Sequence, residues 1–314
     1  MKKILSALVA LFSAAFVLTG CNEKDNKIKI GVIQLVEHPA LDKSYQGFVD
    51  GLSEAGYING ENIVIDYQNA QGEQANCVTI ANKFVNDKDN LIFAIATPAA
   101  QAVANLTKSI PILVTAVTDP ETAKLVKANS KPETNVSGTS DLTPVAAQIT
   151  LLKKLVPNAK KVGILFCSSE ANSIFQVNLA KAACETNGLE YVEGSVSNSN
   201  EIQQVTQSLV GKVDAFYIPT DNMLAAGLAN VAMVANAAKI PTICGEDGMV
   251  VSGGLATYGI NYYELGKLTA KQAVRILKDG ENPANMPIEY LERFDFSYNK
   301  ETAAAIGIEI PENL

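Results

Sequence analysis

Residues 28–36, IKIGVIQLV, decide how this chain is read. The run is rich in β-branched residues and apolar on both faces, the pattern of a strand covered by helices above and below. The next ninety residues keep that pattern: a helix expected over 40–55, NIVIDY (62–67), a helix over 73–86, LIFAIAT (91–97), a helix over 98–108, and PILVTAV (111–117). Strands alternating with helices make a parallel, doubly wound α/β layer. The series then restarts. Lys29-Ile30-Gly31-Val32 returns as Lys161-Val162-Gly163-Ile164, Phe93-x-Ile95-x-Thr97 as Phe216-x-Ile218-x-Thr220, and Ile110-Pro111 as Ile240-Pro241, in the same order and each about 130 residues later. Reuse of Val, Ile and Gly explains any one match, but explains their common spacing less well.

The expected fold is therefore α/β, with two doubly wound, Rossmann-like lobes. After the second series, LATYGI (255–260) reads as another strand, 262–278 as a helix and EYLERFDFSY (289–298) as a last alternating strand. If that helix packs on the first lobe and that strand on the second, the chain crosses three times, near Asp141, Gly259 and Pro283. Three connections make a hinge that bends but hardly twists. Lobe 1 is expected to comprise 28–141 plus 260–282, and lobe 2 to comprise 142–259 plus 283–314.

The N-terminus carries Lys2 and Lys3 followed by an apolar run from Ile4 to Leu18, the n- and h-regions of an export signal. The ending Leu18-Thr19-Gly20-Cys21 resembles the bacterial lipobox, which implies a signal peptide over 1–20, a lipid on the Cys21 thiol and a polar tether over 21–27. A plain secretory signal or a short anchor helix is the competing reading. No other apolar run approaches the ~20 residues a membrane span needs.

The 314 residues suffice for one large domain or two with real cores. A formal net charge of -8 argues against nucleic acid. Cys77, Cys167, Cys184 and Cys244 have no CxxC or His-rich spacing, so they point to neither zinc nor a redox pair and read as small buried hydrophobes. No metal or cofactor is expected, and a monomer is. Arginine, the usual fork for a carboxylate, occurs only at Arg275 and Arg293, against 23 lysines.

In an open parallel sheet a ligand lies beyond the carboxyl ends of the strands, so the repeat nominates six loops. The first lobe offers Glu37-His38-Pro39, with Gln34 in the preceding strand; Thr97, Pro98 and Ala99; and Thr115, Ala116, Val117 and Thr118. The second offers Ser168, Ser169, Asn172 and Ser173; Asp221 and Asn222; and Glu246 and Asp247. Hydroxyls and helix-start amides on one side can hold an anion without arginine, and carboxylates on the other can hold an ammonium. A free amino acid satisfies both. Thr97, Ser169 and Asp221 read equally well as helix caps alone, whereas Glu246 precedes no clear helix, which favours a pocket contact. His38 either lines the cleft or faces water. Of Tyr258, Tyr262 and Tyr263 at the second crossing, Tyr258 is the candidate contact. Asp221→Ala is expected to weaken amino-acid binding tenfold or more while leaving the melting temperature near wild type.

Enzyme signatures are missing. Gly266-Lys267-Leu268 fails as a P-loop twice, with Asn261 where the first glycine belongs and leucine where the hydroxyl belongs. There is no strand-linked GxGxxG, GxSxG elbow or HExxH. A single histidine, His38, supports no Ser-His-Asp spacing. Asp221 with Glu246 is the only pair suggesting acid–base work, and no enzyme activity is expected.

The segments GFVDGLSEAGYINGENIVIDYQNAQGE, IFAIATPAAQAV, TAVTDP, SSEANS, YIPTDN and LATYGINYYELGK together resemble the solute-binding components of bacterial ABC transporters with the type I periplasmic-binding fold. More narrowly, they are similar to the tryptophan/tyrosine transporter substrate-binding group. The resemblance covers nearly the whole chain after Cys21. It implies two lobes closing over one small molecule, docking on a membrane permease with its ATPase, and an extracytoplasmic, lipid-anchored location. It also implies an aromatic amino acid as ligand. Thr97 and the loop 115–118 would meet its backbone groups, Ser168, Ser169, Asn172 and Ser173 would approach from the second lobe, and Asp221 and Glu246 would hold its ammonium. Leu41, Phe166 and Tyr217 are possible walls for its side chain. Aliphatic amino acids, nucleosides and small sugars remain open as ligands, and a lipoprotein sensor or adhesion-type module on the same fold remains open as function.

Overall fold

In a computed structural model, which describes residues 27–311, the opening run forms strand β1 (Ile28–Gln34). The expected signal peptide and Cys21 lie outside the described residues. The first sheet continues with β2 (Ile63–Asn69), β3 (Leu91–Ile95), β4 (Ile112–Val117) and β5 (Val136–Ser140), ordered β2-β1-β3-β4-β5 with every pair parallel. The second holds β6 (Lys161–Cys167), β7 (Glu190–Val196), β8 (Ala215–Ile218), β9 (Thr242–Cys244), β10 (Ala256–Gly259) and β11 (Asp295–Tyr298). Its order is β7-β6-β8-β9-β10-β11, parallel except for the antiparallel β11 edge. Each sheet places its second strand outermost and then runs first, third, fourth, fifth. This is the spatial counterpart of the repeat that pairs Gly31 with Gly163.

The helices, in chain order, are α1 (Pro39–Glu54), α2 (Gln74–Asn86), α3 (Thr97–Leu106), α4 (Val145–Leu155), α5 (Ala171–Thr186), α6 (Ile202–Leu209), α7 (Asn222–Ala226), α8 (Leu228–Ala237), α9 (Asp247–Val251), α10 (Tyr262–Asp279) and α11 (Lys300–Ile306). Successive strand residues point to opposite faces, and the second lobe shows the result. Ile164, Tyr217 and Ile243 join one buried cluster, while their neighbours Leu165, Phe216 and Cys244 join another on the far side. All four described cysteines are free and buried. No helix among the described residues is long and apolar enough to cross a membrane.

Helix α10 packs on α1 in the first lobe through small residues. A side chain at Gly47 would sit 2.0 Å from the Tyr263 carbonyl oxygen, and one at Gly266 would sit 2.0 Å from that of Ser44. The two backbones therefore touch, and only glycine fits.

Three features differ from the sequence reading. Strand β5, VSGTS, is too small and polar to read as buried, yet every residue of it is. Next, the run 289–298 is not one strand. The Glu289 backbone brackets β5, its N–H donating to the Gly138 carbonyl and its carbonyl accepting from Ser140 N–H, whereas 295–298 pair with β10 in the other sheet. The third crossing consequently falls between Tyr290 and Phe294 rather than near Pro283, because residues 283–289 are hydrogen-bonded to the first lobe. Finally, α11 follows β11, capped by the Asn299 side chain accepting from Thr302 N–H.

Candidate functional site

The carboxyl ends of β1, β3 and β4 face those of β6, β8 and β9, and the two lobes touch around the space between. Lys43 on α1 pairs with Asp247 on α9 at 3.0 Å. The Thr118 and Thr220 hydroxyls lie 3.3 Å apart, the Gln176 amide donates to the Thr118 hydroxyl at 3.1 Å, and His38 Nε2 lies 3.4 Å from Asn222 Oδ1. These contacts close the cleft tightly, leaving a small cavity whose wall draws on both lobes.

The candidates His38, Leu41, Ala116, Asn172, Asp221, Asn222 and Glu246 come together in its wall. Two backbone outliers flank it: Ala96, at the end of β3, has φ 83°, and Ala116 has φ 52°. Left-handed alanines cost free energy and tend to cluster at ligand sites. Ala116 lies where β4 slips register against β5 between Val114 and Val117, a bulge that turns it toward the cleft.

Other candidates lie outside the wall. Pro98 and Ala99 are buried in the first turn of α3, and Val117 in the core. Thr115 accepts from Thr139 within the first lobe, and the Gln34 amide donates to Val36 O and Asp42. Ser168 donates to Val196 O, Ser169 contacts Cys167 Sγ, and the Ser173 hydroxyl accepts from the Asn172 amide. Phe166 is core, and Tyr217 is fully buried with its hydroxyl on Gln148.

Thr97 is not a cap: Ala96 occupies that position, and the Thr97 hydroxyl is buried without a partner. Glu246 does precede a helix. It caps α9 through Gly248 N–H and Met249 N–H, because Asp247 starts a short turn that its sequence did not announce. Tyr258 packs its ring on Phe296 at 5.6 Å, while Tyr262, in the first turn of α10, lines the cavity instead.

Sequence reasoning did not place Asp141, Thr220, Ala225, Met249 or Tyr262 in the wall. Thr220 was recoverable as the repeat partner of Thr97; the apolar pair carries no signal. Asp141 marked only a crossing. It is 4% exposed, and its Oδ2 accepts from the Tyr262 hydroxyl at 2.8 Å.

The wall is acidic and holds neither lysine nor arginine. Burial pushes Asp141 up to about 6 and, aided by Asp247, Glu246 up to about 8. Asp221 is also raised, by burial and then by neighbouring Glu170. Burial lowers His38 from 6.5 to about 4, leaving it neutral near pH 7. His38 Nδ1, Asp141 Oδ1 and Asn172 Oδ1 are buried without partners, and groups so placed cost roughly 1–3 kcal/mol each until satisfied. Three carboxyl groups beside unpaired acceptors are the chemical complement of a cation.

Two like-built lobes shut on one small polar cavity define a solute-binding protein of the type I periplasmic-binding fold. The chain belongs to the ABC transporter substrate binding protein family, whose model matches residues 29–314 and whose members are binders rather than enzymes. It is 44% identical, over 98% of its length and 93% of the relative's, to a "Tyrosine-binding protein" of Clostridioides difficile. A Streptococcus pneumonia ABC domain solved in complex with L-Trp is 40% identical with a TM-score of 0.88, covering 91% of this chain and 96% of that one. The ligand-free, open structure of a Clostridium difficile substrate binding protein with adhesive properties is 48% identical with a TM-score of 0.70, covering 91% and 97%. More distant solved structures, at 13% and 14% identity with TM-scores of 0.64 and 0.61, share the fold alone.

Proposed function

We propose that this protein is the extracytoplasmic, lipid-anchored binding component of an ABC importer, and that it captures a free aromatic amino acid, tyrosine or tryptophan, by closing its lobes. The observation that carries this is the acid-walled cavity, free of lysine and arginine, with unpaired acceptors from both lobes. The ligand names of the relatives support the choice within amino acids. Closure is supported by the higher TM-score to the L-Trp complex than to the more identical open structure. Burying three carboxyl groups opposes closing without a cation, and an ammonium offsets that cost. A micromolar affinity corresponds to about 8 kcal/mol, within reach of a few charge-assisted hydrogen bonds at ~1.5–3 kcal/mol each plus a ring packed on Leu41 and Met249.

A thermal-shift screen of the twenty amino acids tests the reading. Tyrosine or tryptophan at about 100 times Kd should add about 2.7 kcal/mol, or roughly 5–10 °C in Tm at ~2–4 °C per kcal/mol. Stabilisation by nucleosides or sugars, and by no amino acid, overturns it. A second reading, a surface interaction module, draws on the adhesive properties ascribed to the open relative. It predicts adhesion that persists when the cavity is blocked by mutation.

Affinity should also rise with pH up to about 6. In the closed protein Asp141 holds its proton up to about 6, and an ammonium beside it favours the ionised form, so binding below that pH releases protons. Calorimetry near that pH in two buffers of different ionisation enthalpy reads the release directly; a buffer-independent heat there would refute it. For the ligand-free closed fold the sign reverses. The contribution of Asp141 and Glu246 to stability is full below the usual carboxylate range and is lost as pH rises through about 6 and about 8. His38 acts oppositely, losing stability as pH falls from 6.5 toward 4.

A further inference from the structure

We propose that Asp141, with Asn172 of the other lobe in the same cavity wall, receives the ammonium group of the ligand, and that Tyr262 positions Asp141 to do so. The assignment rests on the proposed amino-acid ligand and names the atoms that would recognise its charge.

Three carboxylates reach the cavity, and their remaining valences differ. Both oxygens of Asp221 already accept backbone N–H groups, Oδ1 from Leu224 at 2.8 Å and Oδ2 from Cys167 at 2.5 Å. Both oxygens of Glu246 do likewise, from Met249 at 2.8 Å and Gly248 at 2.5 Å. Glu246 uses both in its helix cap, and Asp221 uses one in a helix cap and one at the end of β6. Asp141 caps nothing. The Tyr262 hydroxyl holds its Oδ2 at 2.8 Å, and its Oδ1 is buried with no partner. In the other lobe the Asn172 amide nitrogen donates to Glu170 and to Thr220 O, which turns the Asn172 oxygen the other way, where it too is buried and unpaired. An ammonium has three donors and no acceptor, so two buried orphan acceptors, one from each lobe, suit it.

Tyr262 itself lines the cavity at the start of α10. Its hydroxyl can fix which Asp141 oxygen stays free, and it favours the ionised carboxylate. Asp141 follows β5 at the first crossing and Tyr262 follows the second, so their bond joins two hinge segments at the ligand. The other titratable groups in this wall are His38, Asp221 and Glu246, with Glu170 beside Asp221 and Asp247 beside Glu246.

The test is calorimetric binding of L-tyrosine and of 3-(4-hydroxyphenyl)propanoate, the same molecule without its amino group, to wild type, Asp141→Asn and Tyr262→Phe. Asp141→Asn should lose tyrosine affinity by about 10- to 100-fold, the worth of one charge-assisted hydrogen bond, while its affinity for the des-amino acid is unchanged or improved. Tyr262→Phe should still bind tyrosine, with the rise of affinity with pH displaced to higher pH. That readout stands even where Asp141→Asn fails to fold. Wild-type tyrosine binding with an unaffected Asp141→Asn overturns the assignment alone, as does an equal loss of both ligands in that variant or an unmoved pH profile in Tyr262→Phe. Wild type that binds no amino acid overturns the functional reading and this assignment with it.

Discussion

Asp221→Ala should lower stability by about 1.5–5 kcal/mol, the sum of a lost cap (~0.5–2) and an abandoned buried N–H (~1–3), as well as weakening amino-acid binding tenfold or more. From sequence the substitution was expected to leave the melting temperature near wild type, although Asp221 read equally well as a helix cap alone. In the structure it is also a tie. Asp221 sits between β8 and α7, and its two oxygens hold Leu224 N–H at the start of α7 and Cys167 N–H at the end of β6. Removing it leaves both donors without an acceptor and frees two of the six cleft loops from each other. Asp221→Asn keeps an acceptor oxygen and should recover part of the stability. Urea denaturation beside calorimetry separates the two losses. An alanine variant with wild-type stability and weakened binding would return Asp221 to the purely ligand-directed role.

The second large effect is expected at the junction of α1 and α10. Gly266→Ala should destabilise by about 3 kcal/mol, the upper end of the range for overpacking, even though alanine gains about 1 kcal/mol of helix propensity over glycine. The reason is what the new methyl meets: the Ser44 carbonyl oxygen at 2.0 Å and the Phe48 nitrogen at 2.9 Å, both backbone atoms of a helix that cannot rotate away. The helices must part, and α10 carries Tyr262 into the cavity wall, so ligand affinity should fall along with Tm. Gly280→Ala is the control for a glycine with open space around it: it meets nothing within 4 Å, and its cost comes only from its left-handed φ of 68°. A Gly266→Ala protein that melts with wild type would mean that α1 and α10 can separate at little cost.

The doubly wound lobes were legible because buried parallel strands announce themselves as apolar runs, and LIFAI and ILVTAV are buried at every residue. The loops at the strand ends were legible too, through the rule that places ligands beyond the carboxyl ends. Within each loop, the residue that faces the cavity was not. The left-handed backbone of Ala96 starts α3 one residue earlier than the Thr97-Pro98 pair suggests, which turns the threonine from a cap into a first-turn residue. Tyr258 and Tyr262 are four residues apart, but a strand ends and a helix begins between them, so the ring that reaches the wall is the one in the helix. Asp141 hid behind VSGTS, whose small polar residues are buried only because neighbouring elements take up their hydroxyls, as Thr139 does between Thr115 and Thr269.

Read alone, the amino-acid order settled periodicity and inventory: two strand–helix series, six candidate loops, an acidic chain with arginine at two positions only. Periodicity is a property of neighbours along the chain, so it survives without coordinates. Only the tertiary structure decided which acceptors are already taken. Asp221, Glu246 and Asp141 are the same functional group on paper, and they differ because backbone N–H groups from β6, α7 and α9 reach the first two, while the third meets one hydroxyl from α10 and keeps an oxygen free.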